Sequence, residues 1–100
     1  SALPLLDGAV DCVKAGIVSS LQPANVRLRR ALRNADEFVG DPRYPLLFDP
    51  QTAGGLLASV PERQAAACVQ DLQAAGYVHT AIIGRITAQG EAIEPVLLKT

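Results

Sequence analysis

GLLASVPERQAAACVQDLQAAGYVHTAIIGRIT, residues 55–87, reads as an extended segment, a helix and a second extended segment in succession. Residues 61–75 give the plainest helical pattern in the chain. Ala65, Cys68, Val69 and Leu72 recur at three- and four-residue spacing and make one apolar stripe. Gly76 supplies the stop, because it takes the left-handed conformation at no Cβ cost. On either side, 55–60 reads as a short strand and 78–87 as a mostly apolar strand with both faces covered. A turn at Ala88-Gln89-Gly90-Glu91 leads to a last strand, 92–99, where Pro95 argues for an edge. The order is strand, helix, strand, strand. A crossover of this kind is normally right-handed with parallel strands. The expectation is an α+β fold: a small sheet of about three strands packed with helices, with a slot for a further strand supplied from upstream.

Working outward, residues 6–15 form a second helical pattern. Leu6, Ala9, Val10, Val13 and Ile17 share one stripe, and Gly16 again fits the stop. Residues 24–33 suggest a short helix with Leu28, Ala31 and Leu32 inward. Residues 36–45, with Gly40, Pro42 and Pro45, read as a loop. No repeat or low-complexity tract is visible. The chain is read as a single domain, 1–100, whose natural sheet is expected to begin upstream of Ser1.

One hundred residues suffice for a single core. The hydrophobic fraction is 49% and the charged fraction 19%, ordinary for a globular protein. Phe38, Tyr44, Phe48 and Tyr77 are the only aromatics, so an aliphatic core is expected. A net charge of −1 leaves no overall basic footprint for nucleic acid. No apolar run approaches a membrane span, and no signal peptide is recognisable. Cys12 and Cys68 lie in helical patterns without metal-ligand spacing and are expected as buried, reduced thiols in a cytoplasmic protein.

Residues 48–57, FDPQTAGGLL, concentrate turn devices. Pro50 biases Asp49 away from the helical region, and Thr52 can bond nearby backbone N–H groups. Gly54-Gly55 permits positive φ or close approach of another group. The common nucleotide-binding loop needs Lys-Ser/Thr and then a helix, and neither follows here. Two readings stand on chemistry alone: a structural turn, and a loop lining a ligand cleft.

The segment LLFDPQTAGGLLASVP, 46–61, resembles the DPQT(S/A)GGLL string of the selenophosphate synthetases. Pro4-Leu5-Leu6 through Ala15-Gly16-Ile17 with Asn25, and Ala81-Ile82-Ile83-Gly84-Arg85-Ile86, are similar to flanking stretches of that family in the same order. The resemblance covers nearly the whole chain. It implies a partial aminoimidazole ribonucleotide synthetase-like C-terminal domain from an ATP-dependent enzyme that makes selenophosphate, AMP and phosphate from selenide, ATP and water, with magnesium. The family's reactive Cys or selenocysteine, its Lys, its Asp ligands and its DVTGFG string do not occur here, so neither Cys12 nor Cys68 is assigned as nucleophile.

What carries over is Asp49, Gln51, Thr52, Gly54 and Gly55, expected to face the inter-domain cleft. ATP and magnesium are expected in the parent enzyme, and neither is expected to bind this chain tightly. The expected partners are the parent's N-terminal domain and a second copy, with no nucleic acid and no membrane. Two alternatives remain: a ferredoxin-like regulatory module that binds a small molecule, and the C-terminal domain of another ATP-using member of the superfamily. Arg27, Arg29, Arg30 and Arg33 are expected to form a solvated face paired with Asp36, Glu37 and Asp41, with anion contact as the sharper reading. His79 is expected to be a surface or packed residue without a catalytic role.

Overall fold

A computed structural model describes residues 2–51 and 54–99. The chain divides into two compact units, Ser1–Leu5 with Gly55–Ala88, and Leu6–Gly54 with Gln89–Thr100.

The first unit is built on helix α3, Glu62–Ala74. Pro61 stands just before it in extended backbone (φ −56°, ψ 137°), and its carbonyl accepts from the Gln64 amide at 2.9 Å. Ala65, Cys68 and Val69 are half-buried, as the stripe predicts, whereas its fourth member, Leu72, is exposed. The helix ends on Gly76, at φ +100°. The Gly76 amide donates to the Gln73 carbonyl and the Tyr77 amide to the Leu72 carbonyl, both at 3.0 Å. These two bonds absorb carbonyls that a helix end leaves orphaned. The Thr80 amide and hydroxyl then both donate to the Tyr77 carbonyl, at 2.9 and 2.8 Å, closing a turn where a strand was expected to start.

The expected sheet is absent. Among the described residues there is no strand, only one isolated parallel bridge, Leu32 to Val96. Residues 55–60 and 81–90 form neither helix nor strand, and none of their backbone groups bonds another backbone group among the described residues. Leu56 and Ile86 are 101% and 84% exposed. The sequence pattern identified segments that avoid helix. A ladder also needs a neighbour in register, and register is a property of two segments rather than one.

In the second unit, helix α1 is Ala9–Lys14 and helix α2 is Gln22–Asn25. α2 passes directly into a 3-10 segment, Val26–Ala31. Further 3-10 turns occupy Ala35–Glu37 and Tyr44–Phe48. Ala9, Val10 and Val13 of α1 are half-buried, whereas Leu6 is 84% exposed. The helix is shorter than its apolar pattern because Gly8 begins it in left-handed backbone. Its end repeats the α3 device: the Gly16 amide donates to Val13 and the Ile17 amide to Cys12, each at 2.9 Å, with Gly16 at φ +74°.

The core of this unit is aromatic rather than aliphatic. Segment Tyr44–Phe48 packs against α1 and against Val26–Ala31. Phe48 is 5% exposed, the most buried apolar residue described, and meets the Tyr44 ring edge-on at 5.2 Å between centroids. Edge-to-face geometry sets the positive ring edge against the negative ring face. Gln22 is buried and donates from Nε2 to the Pro45 carbonyl at 2.8 Å, so its burial is compensated.

Residues 94–98 are held in a distinct way. The Arg33 amide donates to the Val96 carbonyl at 2.7 Å and the Val96 amide to the Ala31 carbonyl at 3.0 Å. Beyond the bridge a side chain takes over. Asn34 Oδ1 accepts from the Leu98 amide at 2.9 Å, and Asn34 Nδ2 donates to the Leu98 carbonyl at 3.0 Å. The carboxamide thus makes the paired contacts that a strand neighbour would make.

The turn ahead of Tyr44 is fixed by Asp41. Its Oδ1 accepts from the Arg43 amide at 2.8 Å, and its Oδ2 meets Arg43 Nη2 at 2.6 Å. The Arg43 side chain, then the Arg43 amide, hold the Asp41 carboxyl down to about 2. A depressed carboxyl supports the fold above its unfolded value, and this support is lost as pH falls from about 4 towards 2. The Asp41 carboxyl resonance should titrate near pH 2 and return to the ordinary Asp range in Arg43→Ala. An unchanged midpoint in the variant would remove Arg43 as the cause.

Candidate functional site

The Tyr44–Phe48 turn ends where Asp49 takes extended backbone (φ −65°, ψ 131°), the conformation that Pro50 imposes on its predecessor. Asp49 is half-buried, and its Oδ2 accepts from Gln51 Nε2 at 2.9 Å. Asp49 lines an open cleft of about 370 Å³ whose walls include Cys12, Val13, Ile17, Ser19 and Leu46. α1 positions Cys12 and Val13, and the buried Phe48 positions Asp49. The sequence reading missed the α1 side of this cleft. The clue was the aromatic residue directly before the Asp-Pro turn, which ties that turn to a core.

Thr52 lies outside the described residues. Gly54 belongs to the same unit as Asp49 and Gln51. A Cβ on Gly54 would stand 2.5 Å from Gln51 Oε1 and 2.7 Å from Gln51 Cβ, so the missing side chain is what lets Gln51 lie close. Gly55 opens the other unit, is not left-handed, and would meet nothing within 4 Å with an added Cβ. The two glycines therefore do different things. Gly54→Ala should lower stability by at least about 1 kcal/mol and release Gln51 from Asp49. Gly55→Ala should melt as wild type. Equal denaturant midpoints for the two variants would contradict this division.

The site offers one carboxylate, already bonded on one oxygen, beside an apolar wall. No group of three His, Cys, Asp or Glu that could hold a metal occurs among the described residues. Magnesium needs oxygen ligands in near-octahedral array, usually one or two carboxylates with waters and phosphates. Asp49 alone does not assemble that array, and the loop has no lysine to cradle a phosphate. The magnesium and ATP implied by the resemblance thus find no fitted site among these residues.

The arginine cluster is exposed, as expected, but its partners are not the expected acids. Asp41 pairs with Arg43, and Glu37 accepts from Asn34 Nδ2 at 3.2 Å. The other ion pair among the described residues is Arg85 with Glu62 at 3.3 Å, in the first unit, too exposed to contribute much. Cys12 and Cys68 are free thiols but not the buried ones expected, since Cys12 is exposed and Cys68 half-buried, and His79 is exposed. No helix is long and apolar enough to cross a membrane among the described residues.

Comparison with known proteins gives a consistent answer. The chain is 34% identical over 99 residues to the selenide, water dikinase of Clostridioides difficile strain 630, covering 95% of this chain and 27% of that protein. It is 32% identical over 92 residues to selenide, water dikinase 2 of Peptoclostridium acidaminophilum, covering 89% of this chain and 25% of that protein. A shorter match to the selenide, water dikinase of Myxococcus xanthus strain DK1622 reaches 51% identity over 51 residues. No protein-family profile matches the chain, and no solved structure matches it. These relatives all carry the name of a dikinase, and the chain is homologous to one segment of such an enzyme. The particular family is the selenide, water dikinases, and the chain spans about a quarter of the length of the curated relatives it matches.

Proposed function

We propose that the chain is a C-terminal segment of an ATP-dependent selenophosphate synthetase, which converts selenide, ATP and water to selenophosphate, AMP and phosphate. The observation that carries this reading is the continuous match along 95% of the chain to a selenide, water dikinase. In this reading the nucleophile, the lysine and the magnesium ligands belong to the remainder of the enzyme, in a reducing cytosol. Asp49, Gln51 and Gly54 shape one wall of the cleft rather than perform chemistry. The 100 residues alone do not turn over.

The test is AMP formation from ATP with and without selenide, run in parallel on the complete enzyme and on this chain. Selenide-dependent AMP from the complete enzyme and none from the chain is expected. No selenide dependence in the complete enzyme would overturn the assignment, and AMP from the chain alone would overturn its inactivity.

The same reading includes self-association. Leu56, Leu57 and Ile86 in the first unit are strongly exposed, and apolar area left in water disfavours the free form by about 25 cal/mol per Å². Light scattering over a dilution series should show a dimer that dissociates on dilution. A monomer at every concentration would rule this out.

A further inference from the structure

Asp49 carries the only carboxylate on the walls of its cleft, and no Lys, Arg or His lines them. Its Oδ2 accepts from Gln51 Nε2 at 2.9 Å, while Oδ1 makes no hydrogen bond or ion pair among the described residues. The cleft therefore holds one negative charge with no cation to balance it. Asp49 is half-buried, so this charge is less screened than one on an open surface.

Two further polar side chains line the same cleft. Gln22 is only 7% exposed, and its Nε2 is engaged with the Pro45 carbonyl at 2.8 Å. Its Oε1 has no partner among the described residues, where the Tyr44 hydroxyl is the only unpartnered side-chain polar atom sealed from solvent. The Gln22 oxygen is thus an acceptor still open to a donor. The Ser19 hydroxyl accepts from the Leu21 amide at 3.3 Å and keeps a second lone pair. Carboxylate, carboxamide oxygen and hydroxyl make the lining rich in acceptors. The rest of the wall is largely aliphatic, with Val13, Ile17 and Leu46. An anion meets no counter-charge here. A neutral apolar molecule would strip water from the Asp49 carboxylate and return nothing for it.

We propose that this cleft binds a small organic monocation, a protonated primary amine on a short branched alkyl body. An ammonium group has three donors and no acceptor, which suits the Asp49 carboxylate and the Gln22 oxygen together. The alkyl body covers Val13, Ile17 and Leu46. One positive charge balances the one carboxylate, whereas magnesium would need further oxygen ligands. A volume of about 370 Å³ is at the low end for ligand sites and fits a ligand of this size. The proposal does not depend on the dikinase reading.

The experiment is titration of the isotope-labelled chain with isopentylamine at neutral pH, followed by amide resonances. Saturable movement is expected at Val13, Ile17, Gln22, Leu46 and Asp49, weakening as salt rises. Isopentanol has the same body without the charge and should bind roughly tenfold more weakly. Isovalerate, the matching anion, should give no saturable movement. Asp49→Asn keeps an acceptor for Gln51 and should reduce the amine to the affinity of the alcohol. Asp36→Asn removes an exposed carboxylate outside the cleft walls and should leave binding within about twofold. Ile17 is 65% exposed, so Ile17→Ser spares the fold and should weaken the amine roughly threefold through lost apolar contact. Circular dichroism confirms that each variant is folded. Equal affinity for amine and alcohol, equal loss in Asp36→Asn and Asp49→Asn, or ammonium chloride binding as tightly as isopentylamine would each overturn the proposal.

Discussion

Phe48→Ala should unfold the unit formed by residues 6–54 and 89–100. Phe48 is 5% exposed and sits where α1 and Val26–Ala31 both meet the Tyr44–Phe48 turn. Truncating a buried Phe to Ala costs about 3–5 kcal/mol, from lost transfer energy and the cavity left behind. A unit of about sixty residues is stable by only about 3–9 kcal/mol. The loss is thus a large share of the total, and the urea midpoint should fall by half or vanish. Leu6→Ala, at a position 84% exposed, should move it by less than about 0.5 kcal/mol. Tyr44→Phe gives an opposite sign. The Tyr44 hydroxyl is buried without a hydrogen-bond partner among the described residues, and an unpaired buried polar group costs about 1–3 kcal/mol. Removing it should hold or raise the midpoint. A Phe48→Ala variant that melts like Leu6→Ala would show that the core lies elsewhere.

Asn34→Ala should release residues 94–98 at a cost of about 2 kcal/mol. The substitution strips both partners from Leu98, whose amide and carbonyl are only partly accessible to water. Each lost bond to a group still shielded costs about 1 kcal/mol or more. Hydrogen exchange at the Leu98 amide should accelerate strongly, and at Val96, still bonded to Ala31, less so. Asn34→Asp separates the two bonds. At neutral pH its carboxylate still accepts from the Leu98 amide but faces the Leu98 carbonyl with no proton to donate. Its folded-state pKa is therefore raised. The docking is present at acid pH, where the protonated form donates, and is lost as pH rises through that value. Asn34→Asp protection that did not change with pH would exclude the proposed donation to Leu98.

Local signals were readable where a helix carries its own boundary. The stripe Ala65, Cys68, Val69 and the stop at Gly76 were legible because helical bonds join near neighbours in sequence. α1 was legible for the same reason, though Gly8 trims its start. The expected strands failed because their identity depends on a partner. Residues 92–99 find theirs in Leu32 and the Asn34 side chain, about sixty positions earlier, and no local pattern specifies a side chain acting as backbone. Of the site, the turn at Asp49-Pro50 was legible from proline sterics, and the difference between Gly54 and Gly55 was not. That difference rests on where Gln51 lies, a rotamer choice invisible in sequence. The low aromatic count suggested an aliphatic core, yet burial follows position rather than number, and Phe48 with Tyr44 anchors the second unit.

The two helix ends at Gly16 and Gly76 make the chain locally indifferent to handedness. At φ +74° and +100° the backbone adopts the mirror image of an ordinary residue's conformation. An L-alanine there is strained, whereas a D-alanine is in its natural region. At both positions the L-side Cβ direction meets nothing within 4 Å beyond the adjoining residues, so the strain of an L-residue lies within its own stretch of backbone and not in packing against the rest of the chain. The cost of an L-alanine at either site is therefore a direct measure of chirality in the backbone, about 1 kcal/mol, separable from packing. Evolution can exchange these glycines only for residues such as asparagine that visit the left-handed region. Chemical synthesis has the wider choice of inverting a single stereocentre.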